Sequence, residues 1–185
     1  MVPEASLEQT EEGLVPKGEG WFVVNAKEAR WFEHDVFGSG TVFEGEPRFE
    51  QVGINIGVLE PGQPACMYHR ENAQEDFLVL HGEALLIVEG QERPLKAWDF
   101  FHCPAGTNHV IVGAGDGPCA VLAVGYRPGE EEIVYPTEPV ALRHRAGVET
   151  ETPDPREAYA PFERPRPAPY RGQLDAAAGD VAAAQ

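Results

Sequence analysis

Basic residues and serines are scarce in this sequence. Lysine and arginine together number 14 against 31 aspartates and glutamates, which gives a formal net charge of −17. A surface this acidic repels nucleic-acid backbones and anionic lipid, so we expect neither a nucleic acid nor a membrane as a partner. The only serines are Ser6 and Ser39, and neither lies in the Gly-x-Ser-x-Gly motif that would indicate a serine hydrolase.

Cysteines and long apolar runs are also few. Cys66, Cys103 and Cys119 form no Cys-x-x-Cys pair, which favours free thiols in a reducing compartment. Apolar runs such as residues 84–88 are far shorter than the ~20 residues of a membrane helix. Residues 1–13 are acidic and lack the apolar stretch of a signal peptide. We therefore expect a cytoplasmic protein.

Composition divides the chain into four segments. Residues 1–20 are polar and rich in glycine, and we predict a flexible N-terminal segment. Residues 21–126 carry nearly all of the strand-like sequence and are predicted to form the folded core. Prolines crowd residues 127–170, which favours an extended C-terminal arm. The low-complexity residues 171–185 have too few apolar side chains to offset the entropy of ordering, so a disordered tail is predicted.

The arm contains two helix signals. In residues 137–147, Thr137 is the predicted N-cap, Pro139 lies in the first turn and the run ends at a glycine. In residues 154–161, Asp154 is the predicted N-cap and Glu157 the partner that completes a capping box. Two short helices are therefore expected in the arm.

The central segment alternates between short apolar runs and Gly/Pro turns. The runs are residues 53–60, 76–80, 83–89, 98–103, 109–112 and 119–125. Short strands at such regular spacing favour an antiparallel sandwich or barrel. The Gly-rich residues 113–117 are not followed by a helical pattern, so they indicate a connection between strands rather than a dinucleotide-binding loop.

Two stretches of this segment resemble the two motifs of the cupin superfamily. The first cupin motif reads G-x5-H-x-H-x3-4-E-x6-G, and Glu75-x6-Gly82 matches its second half. The second motif reads G-x5-P-x-G-x2-H-x3-N, and Pro104-x-Gly106-x2-His109 matches its centre. The resemblance covers about residues 50–126. It implies an all-β fold, an antiparallel double-stranded β-helix or jelly-roll barrel of the single-domain cupin type, with the short helices in the C-terminal extension.

The sequence departs from both motifs. Trp98 stands where the second motif has glycine, and Gly113 stands where it has asparagine. In the first motif, one register places Tyr68 and Arg70 at the two histidine positions and loses both histidines. The other register places His69 and Glu71 there.

The second register gives the better metal site, because residues two apart lie on one face of a strand. The resemblance adds Glu75 and His109, so the predicted ligands are His69, Glu71, Glu75 and His109, with Gln74 as an alternative to Glu71. A divalent ion compensates buried carboxylates that would otherwise be costly. Two imidazoles and two carboxylates suit one divalent transition metal of the group Mn, Fe, Zn and Ni.

Cupin barrels serve as dioxygenases, isomerases, decarboxylases and non-catalytic binding modules, so the family does not fix the function. The resemblance implies that the chain acts on or binds a small polar or anionic metabolite, with the metal as a Lewis acid. The alternative is a non-catalytic binding or sensor cupin, which would need no metal. Enzyme and sensor both remain open at this level.

A homodimer is also predicted. Residues 77–80 alternate so that both faces of their strand are apolar, and one face needs cover. Residues 21–24 can supply that cover within the chain or across a dimer. A monomer mass in light scattering at micromolar concentration would refute the dimer.

Overall fold

A computed structural model describes residues 1–177 and shows an all-β protein with short helices in its C-terminal part. The strands are β1 (Ser6–Thr10), β2 (Gly13–Lys17), β3 (Trp31–His34), β4 (Gly38–Thr41), β5 (Val52–Leu59), β6 (Arg70–Glu71), β7 (Glu75–His81), β8 (Glu83–Val88), β9 (Gln91–Lys96), β10 (Phe100–Cys103), β11 (His109–Ala114), β12 (Cys119–Tyr126), β13 (Ile133–Val134) and β14 (Arg166–Ala168). The helices are α1 (Pro139–Arg143), α2 (Pro155–Ala158) and α3 (Gln173–Ala177).

The strands form two main antiparallel sheets. The large sheet has the order β10-β7-β12-β5-β4-β3-β14, and the small sheet has the order β11-β8-β9. Buried side chains from both sheets meet in one cluster, which includes Val79 and Val121 from the large sheet and Leu86 and Ile111 from the small one. The predicted all-β jelly-roll barrel is therefore confirmed.

The outer faces of both sheets are covered by other parts of the same chain. Behind the small sheet, Ile87 and Val110 pack against Ala141 of α1. Because β8 is thus buried on both faces, its sequence is a continuous apolar run rather than an alternating one.

Behind the large sheet, Leu80 packs in a cluster with Trp31, Tyr170 and Leu174. We expected residues 21–24 to cover this face. Two of their side chains, Trp21 and Val23, do not do so, because both are exposed. The C-terminal arm thus supplies cover that we had assigned to those residues or to a second subunit. The homodimer stays a prediction.

Residues 1–20, which we predict to be a flexible N-terminal segment, contain the two strands β1 and β2. Strands β1 and β2 form a hairpin closed by Thr10, whose hydroxyl donates to the carbonyl of Gly13 and accepts from the amide of Glu12. The hairpin is joined to the following chain, because the Leu14 amide donates to the Glu28 carbonyl at 2.7 Å and Val15 is buried. The turn lacks the Asn-Gly or Asp-Gly pair by which hairpins are usually found in a sequence.

The arm contains both predicted helices, with corrected caps. Glu138, not Thr137, caps α1 by accepting a hydrogen bond from the Val140 amide. Asp154 caps α2 as expected, but Glu157 accepts from the hydroxyl of Thr152 instead of closing a capping box.

The predicted disordered tail overlaps a helix at its start. Helix α3 occupies Gln173–Ala177, and the Tyr170 hydroxyl donates to Asp175 at 2.9 Å. The remainder of that predicted tail, residues 178–185, lies outside the described residues. Among residues 1–177, no helix combines the length and the hydropathy required to cross a membrane.

Candidate metal centre

Two histidines are brought together by a pair of backbone hydrogen bonds. His69 directly precedes β6 and His109 begins β11, and the amide of each donates to the carbonyl of the other, at 3.1 and 2.8 Å. Residues paired in this way direct their side chains to the same side. The two imidazole rings are therefore close, with centroids 4.8 Å apart, and both residues are buried.

The same nitrogen of each ring is held by the backbone. His69 Nδ1 lies 2.8 Å from the carbonyl oxygen of Met67, and His109 Nδ1 lies 3.1 Å from that of Thr107. A carbonyl oxygen only accepts, so each Nδ1 carries a hydrogen and donates it. In the neutral rings, each Nε2 then has a free lone pair.

Both lone pairs point towards the carboxylate of Glu75. Glu75 begins β7, and its Oε2 lies 3.2 Å from His109 Nε2 and 3.8 Å from His69 Nε2. Burial would raise the pKa of Glu75, but the neighbouring His109 and His69 hold it below its usual value. Three acceptor atoms in one buried place require a cation or a proton between them.

The electrostatics of His69 indicate the same requirement. Burial would lower the pKa of His69, but Cys66, Glu71 and Glu75 together raise it well above its usual value. The negative groups around this ring thus favour a positive charge at Nε2, which a proton or a metal ion can supply.

The spacing of these atoms fits a metal ion. The ligand atoms of His69, Glu75 and His109 all lie within 4.8 Å of one another. For bonds of about 2.1 Å, neighbouring ligands of a tetrahedral ion lie about 3.4 Å apart. The observed separations from Glu75 Oε2 are close to that value. These three side chains therefore form a group that can hold a metal ion.

Glu71 lies at the edge of this group. Its Oε1 is 3.5 Å from His69 Nε2, and its side chain is more exposed than that of Glu75. It is not part of the set of three whose ligand atoms all lie within 4.8 Å. Strand β13 fixes the position of its backbone, since Ile133 pairs with Glu71.

The alternative ligands lie elsewhere. Gln74 is exposed and its amide donates to Asp76 at 2.6 Å. Tyr68 is buried behind the small sheet, where its hydroxyl accepts from the Gly90 amide at 3.1 Å. Arg70 donates to the side chain of Asn108. Tyr68 and Arg70 thus alternate with His69 and Glu71 and turn away from the group.

The neighbouring residues His102 and Cys103 face opposite sides of β10. His102 is exposed and its Nδ1 lies 2.7 Å from Asp76 Oδ1, outside the cavity. Cys103 is buried, with Sγ 3.4 Å from His109 Nδ1. Burial and then the charge of Glu75 raise the pKa of Cys103 to about 12. It therefore remains a neutral thiol that packs beside the imidazole.

The group lies in the wall of a cavity of about 310 Å³. Phe77 and Ile111 supply apolar surface from the two sheets. Strand β5 contributes Asn55, an exposed polar residue within a central strand. The cavity thus combines a polar centre with mostly apolar walls, as small-molecule sites do.

The C-terminal arm supplies one side of this cavity. The lining residues from the arm are Ile133, Tyr135 and Tyr159, none of which belongs to a cupin motif. Tyr159 is anchored there, because its hydroxyl accepts from the Met67 amide at 3.0 Å. Burial raises the pKa of both tyrosines, so they stay protonated at neutral pH. The sequence signal for this contribution is the presence of aromatic residues, Tyr135 and Tyr159 among them, in the Pro-rich arm.

Comparison with known proteins identifies the central segment. Residues 55–125 match a family model described as a cupin domain. This range contains all four predicted ligands, and it runs from within β5 to near the end of β12. No curated protein matches the chain.

Several solved structures resemble the chain over part of its length. A sugar phosphate isomerase of the cupin superfamily from Silicibacter pomeroyi is 28% identical, with 58% of this chain and 66% of that chain covered and a TM-score of 0.47. A proposed sugar phosphate isomerase from Acidithiobacillus ferrooxidans is 27% identical, with 45% and 55% covered and a TM-score of 0.44. A predicted oxalate decarboxylase from Thermotoga maritima is 20% identical, with 57% and 98% covered and a TM-score of 0.48. The chain covers less than two thirds of the length of the two isomerase structures.

Proposed function

The chain belongs to the cupin superfamily, and on this basis we propose that it holds one divalent transition metal and acts on or binds a small polar or anionic metabolite in the barrel. The proposed ligands are His69, Glu75 and His109, with Glu71 as the fourth. One observation supports the metal above all: two Nε2 lone pairs, fixed by the backbone contacts of Nδ1, converge on one oxygen of the half-buried Glu75 carboxylate. A metal ion can bond to all three acceptors at once, whereas a single proton can be shared by only two of them.

The donor set limits the choice of ion. Imidazole nitrogens and carboxylate oxygens suit Mn, Fe, Zn or Ni, and the neutral thiol of Cys103 adds no thiolate that would favour a softer ion. A bound ion would supply Lewis acidity to the oxygens of a ligand.

The residues of the chain supply positioning and proton transfer. Glu75 is held tightly between the two imidazoles, whereas Glu71 is looser and more exposed. Glu71 can therefore leave the ion when a ligand enters and accept a proton from it. The apolar walls and the two protonated tyrosines exclude bulk water, which strengthens the electrostatic contacts inside the cavity.

A non-catalytic binding or sensor role is the second candidate. This role is favoured by the carboxylates in the lining of the cavity, which are Glu71 and Glu75. Both lie beside the proposed ion, so the lining offers no further carboxylate to act as a general acid or base. Turnover of a bound metabolite would support the enzyme, whereas binding without turnover would support the sensor.

Variants of Glu71 test the proposed ligand set. Glu71→Ala is expected to weaken metal binding about 10- to 100-fold, since water replaces a charged ligand. Glu71→His should keep the ion bound but shift the preference towards metals that favour imidazole. Metal titrations of the full-length variants measure both effects.

Gln74→Ala is the matched control, because Gln74 lies three residues after Glu71 and faces solvent. It should bind metal like the parent, and a loss of affinity would instead assign the fourth ligand to Gln74. Equal affinities for the parent, Glu71→Ala and Glu71→His would contradict a role for Glu71 at the ion.

A further inference from the structure

A second cavity, of about 390 Å³, is lined by several basic residues. Four of the 14 lysines and arginines of the chain line it. They are Lys17, Arg30, Arg48 and Arg127. We call this cavity the basic cleft. Such a concentration stands out in a chain with a formal net charge of −17, because most of the protein surface repels anions.

One cation of the basic cleft is fixed in place. Arg127 Nη2 lies 2.9 Å from Glu44 Oε1 and donates to Oε2 at 3.2 Å, while Nη1 donates to the carbonyl of Phe49. Glu44 is buried, so it orients the guanidinium group firmly. Glu44 Oε1 is shielded from solvent, so its contact with Arg127 Nη2 is made inside the protein.

The other three cations are more accessible. Arg30 is half-buried over the ring of Phe32, and Arg48 is exposed. Neither forms an ion pair within residues 1–177. Lys17 is exposed and lies 3.1 Å from Glu8. The lining contains four cationic side chains and two carboxylates, Glu44 and Glu46, so it has an excess of positive charge.

The basic cleft adjoins the metal cavity on the same face of the large sheet. Glu75 pairs with Gly125, and Gly125 pairs with Gly53, so these three residues form one row across β7, β12 and β5. A Cβ at Gly53 would lie 3.2 Å from Arg127 Nη2, which places the guanidinium group at the end of this row. Two strand spacings separate Glu75 from Gly53, about 10 Å.

In this row, the two residues beyond Glu75 are glycines and carry no side chain that would separate the two cavities. Asn55 lines both cavities. A ligand held at the metal group can therefore extend across Gly125 and Gly53 to reach Arg127.

We propose that the basic cleft is an anion subsite that binds the phosphate group of a hydroxylated phosphate monoester, whose other end lies at the metal group. This inference rests on the proposed function, because it assigns a substrate class to the same barrel. A phosphate monoester carries about two negative charges at neutral pH, which matches the excess positive charge of the lining. Arginine forks bind phosphate oxygens in pairs, and Arg30 and Arg48 form no ion pair within residues 1–177 that would compete for this role.

Inorganic phosphate probes the subsite alone. It is added to the full-length protein after chelator treatment, so that it cannot bind through a metal, and sodium chloride at equal ionic strength serves as the salt control. At about ten times its dissociation constant, phosphate should raise the melting temperature of the parent by about 3–5 °C. Arg30→Gln and Arg48→Gln should each raise that constant at least about 10-fold. Arg127 is not substituted in this test, because its contacts to Glu44 and Phe49 also support the fold.

Arg93→Gln is the matched control, since Arg93 is exposed on β9 and outside the basic cleft. It should respond to phosphate like the parent. If the parent is not stabilised by phosphate, or if Arg30→Gln and Arg48→Gln respond like Arg93→Gln, the subsite is refuted.

A second pair of probes tests whether one ligand spans both cavities. In metal-loaded protein, phosphogluconate should bind at least about 10-fold more tightly than phosphoglycolate, which is too short to reach both places. Arg48→Gln should remove this advantage without changing the metal affinity. Equal binding of the two compounds would refute the spanning ligand. A chain that binds phosphate in the cleft but takes up no metal would refute the proposed function and leave the anion subsite standing.

Discussion

Replacing His109 with alanine is expected to lower the affinity for a divalent ion at least about 100-fold. His109 offers the Nε2 lone pair closest to Glu75 Oε2, and its ring is fixed from behind by the Thr107 carbonyl. Loss of this buried ligand should lower the metal affinity more than loss of Glu71, which is more exposed, or of a residue that only orients a ligand, which typically costs 10–100-fold in affinity. The remaining nitrogen and carboxylate ligands cannot regain the same geometry, because His69 is held by Met67. Metal titration followed by calorimetry measures the loss.

His102→Ala is the control for this experiment. His102 is seven residues away, but its ring is exposed and contacts Asp76 outside the cavity. The His102 variant should bind metal like the parent. If both variants keep the parental affinity, His109 is not a ligand. The melting temperature of each metal-free variant separates a loss of the ligand from a loss of the fold.

Replacing Gly113 with asparagine is expected to destabilise the protein by about 2–3 kcal/mol, although asparagine is the usual residue of the cupin motif at this position. A Cβ at Gly113 would lie 2.2 Å from the carbonyl oxygen of Glu60 and 3.1 Å from Leu59 Cβ. The backbone cannot move away, since the Gly62 amide donates to the Gly113 carbonyl and the Gly113 amide donates to Gln63. The melting temperature should fall by roughly 4–12 °C.

Gly117→Asn provides the matched control. Its added Cβ would meet no atom within 4 Å, and its backbone does not adopt the left-handed conformation. We expect a change of stability within about 0.5 kcal/mol. Thermal melts measure the stability of both variants. A Gly113 variant as stable as the Gly117 variant would show that the turn after β5 can move to accommodate the added side chain.

The strands of the barrel could be predicted because turn residues punctuate them. The Glu89-Gly90 turn between β8 and β9 illustrates this, since both residues have positive φ, as a two-residue hairpin turn of this type requires. Trp98 shows why the second cupin motif has glycine at its position. Its φ is +74°, a conformation that costs a side-chain-bearing residue about 1–2 kcal/mol, and the ring is largely exposed.

The N-terminal hairpin and the arm could not be assigned in the same way. Strands β1 and β2 are short and contain few apolar residues, so their stability depends on tertiary contacts such as that between Leu14 and Glu28. Likewise, β14 pairs with β3 across more than a hundred residues of sequence, and no local pattern encodes such a partner.

In the candidate site, too, local spacing predicted some residues, whereas others depend on tertiary contacts. The spacing along one strand favoured His69 and Glu71 over Tyr68 and Arg70, and the structure places His69 beside Glu75 and His109. The contribution of Tyr135 and Tyr159 depends on how the arm crosses the barrel. That path is fixed in part by Asn72, whose side chain donates to the Glu130 carbonyl and accepts from the Glu132 amide.

The most direct test of the metal centre is the metal content of the full-length protein purified without chelator, under aerobic and anaerobic conditions. Elemental analysis should find about one equivalent of a divalent transition metal per chain in at least one preparation, and His109→Ala purified in parallel should have lost it. Because the ion binds the folded chain, adding it to the metal-free parent should also raise the melting temperature. Less than about a tenth of an equivalent in both preparations, with no stabilisation by added metal, would contradict the proposed metal centre.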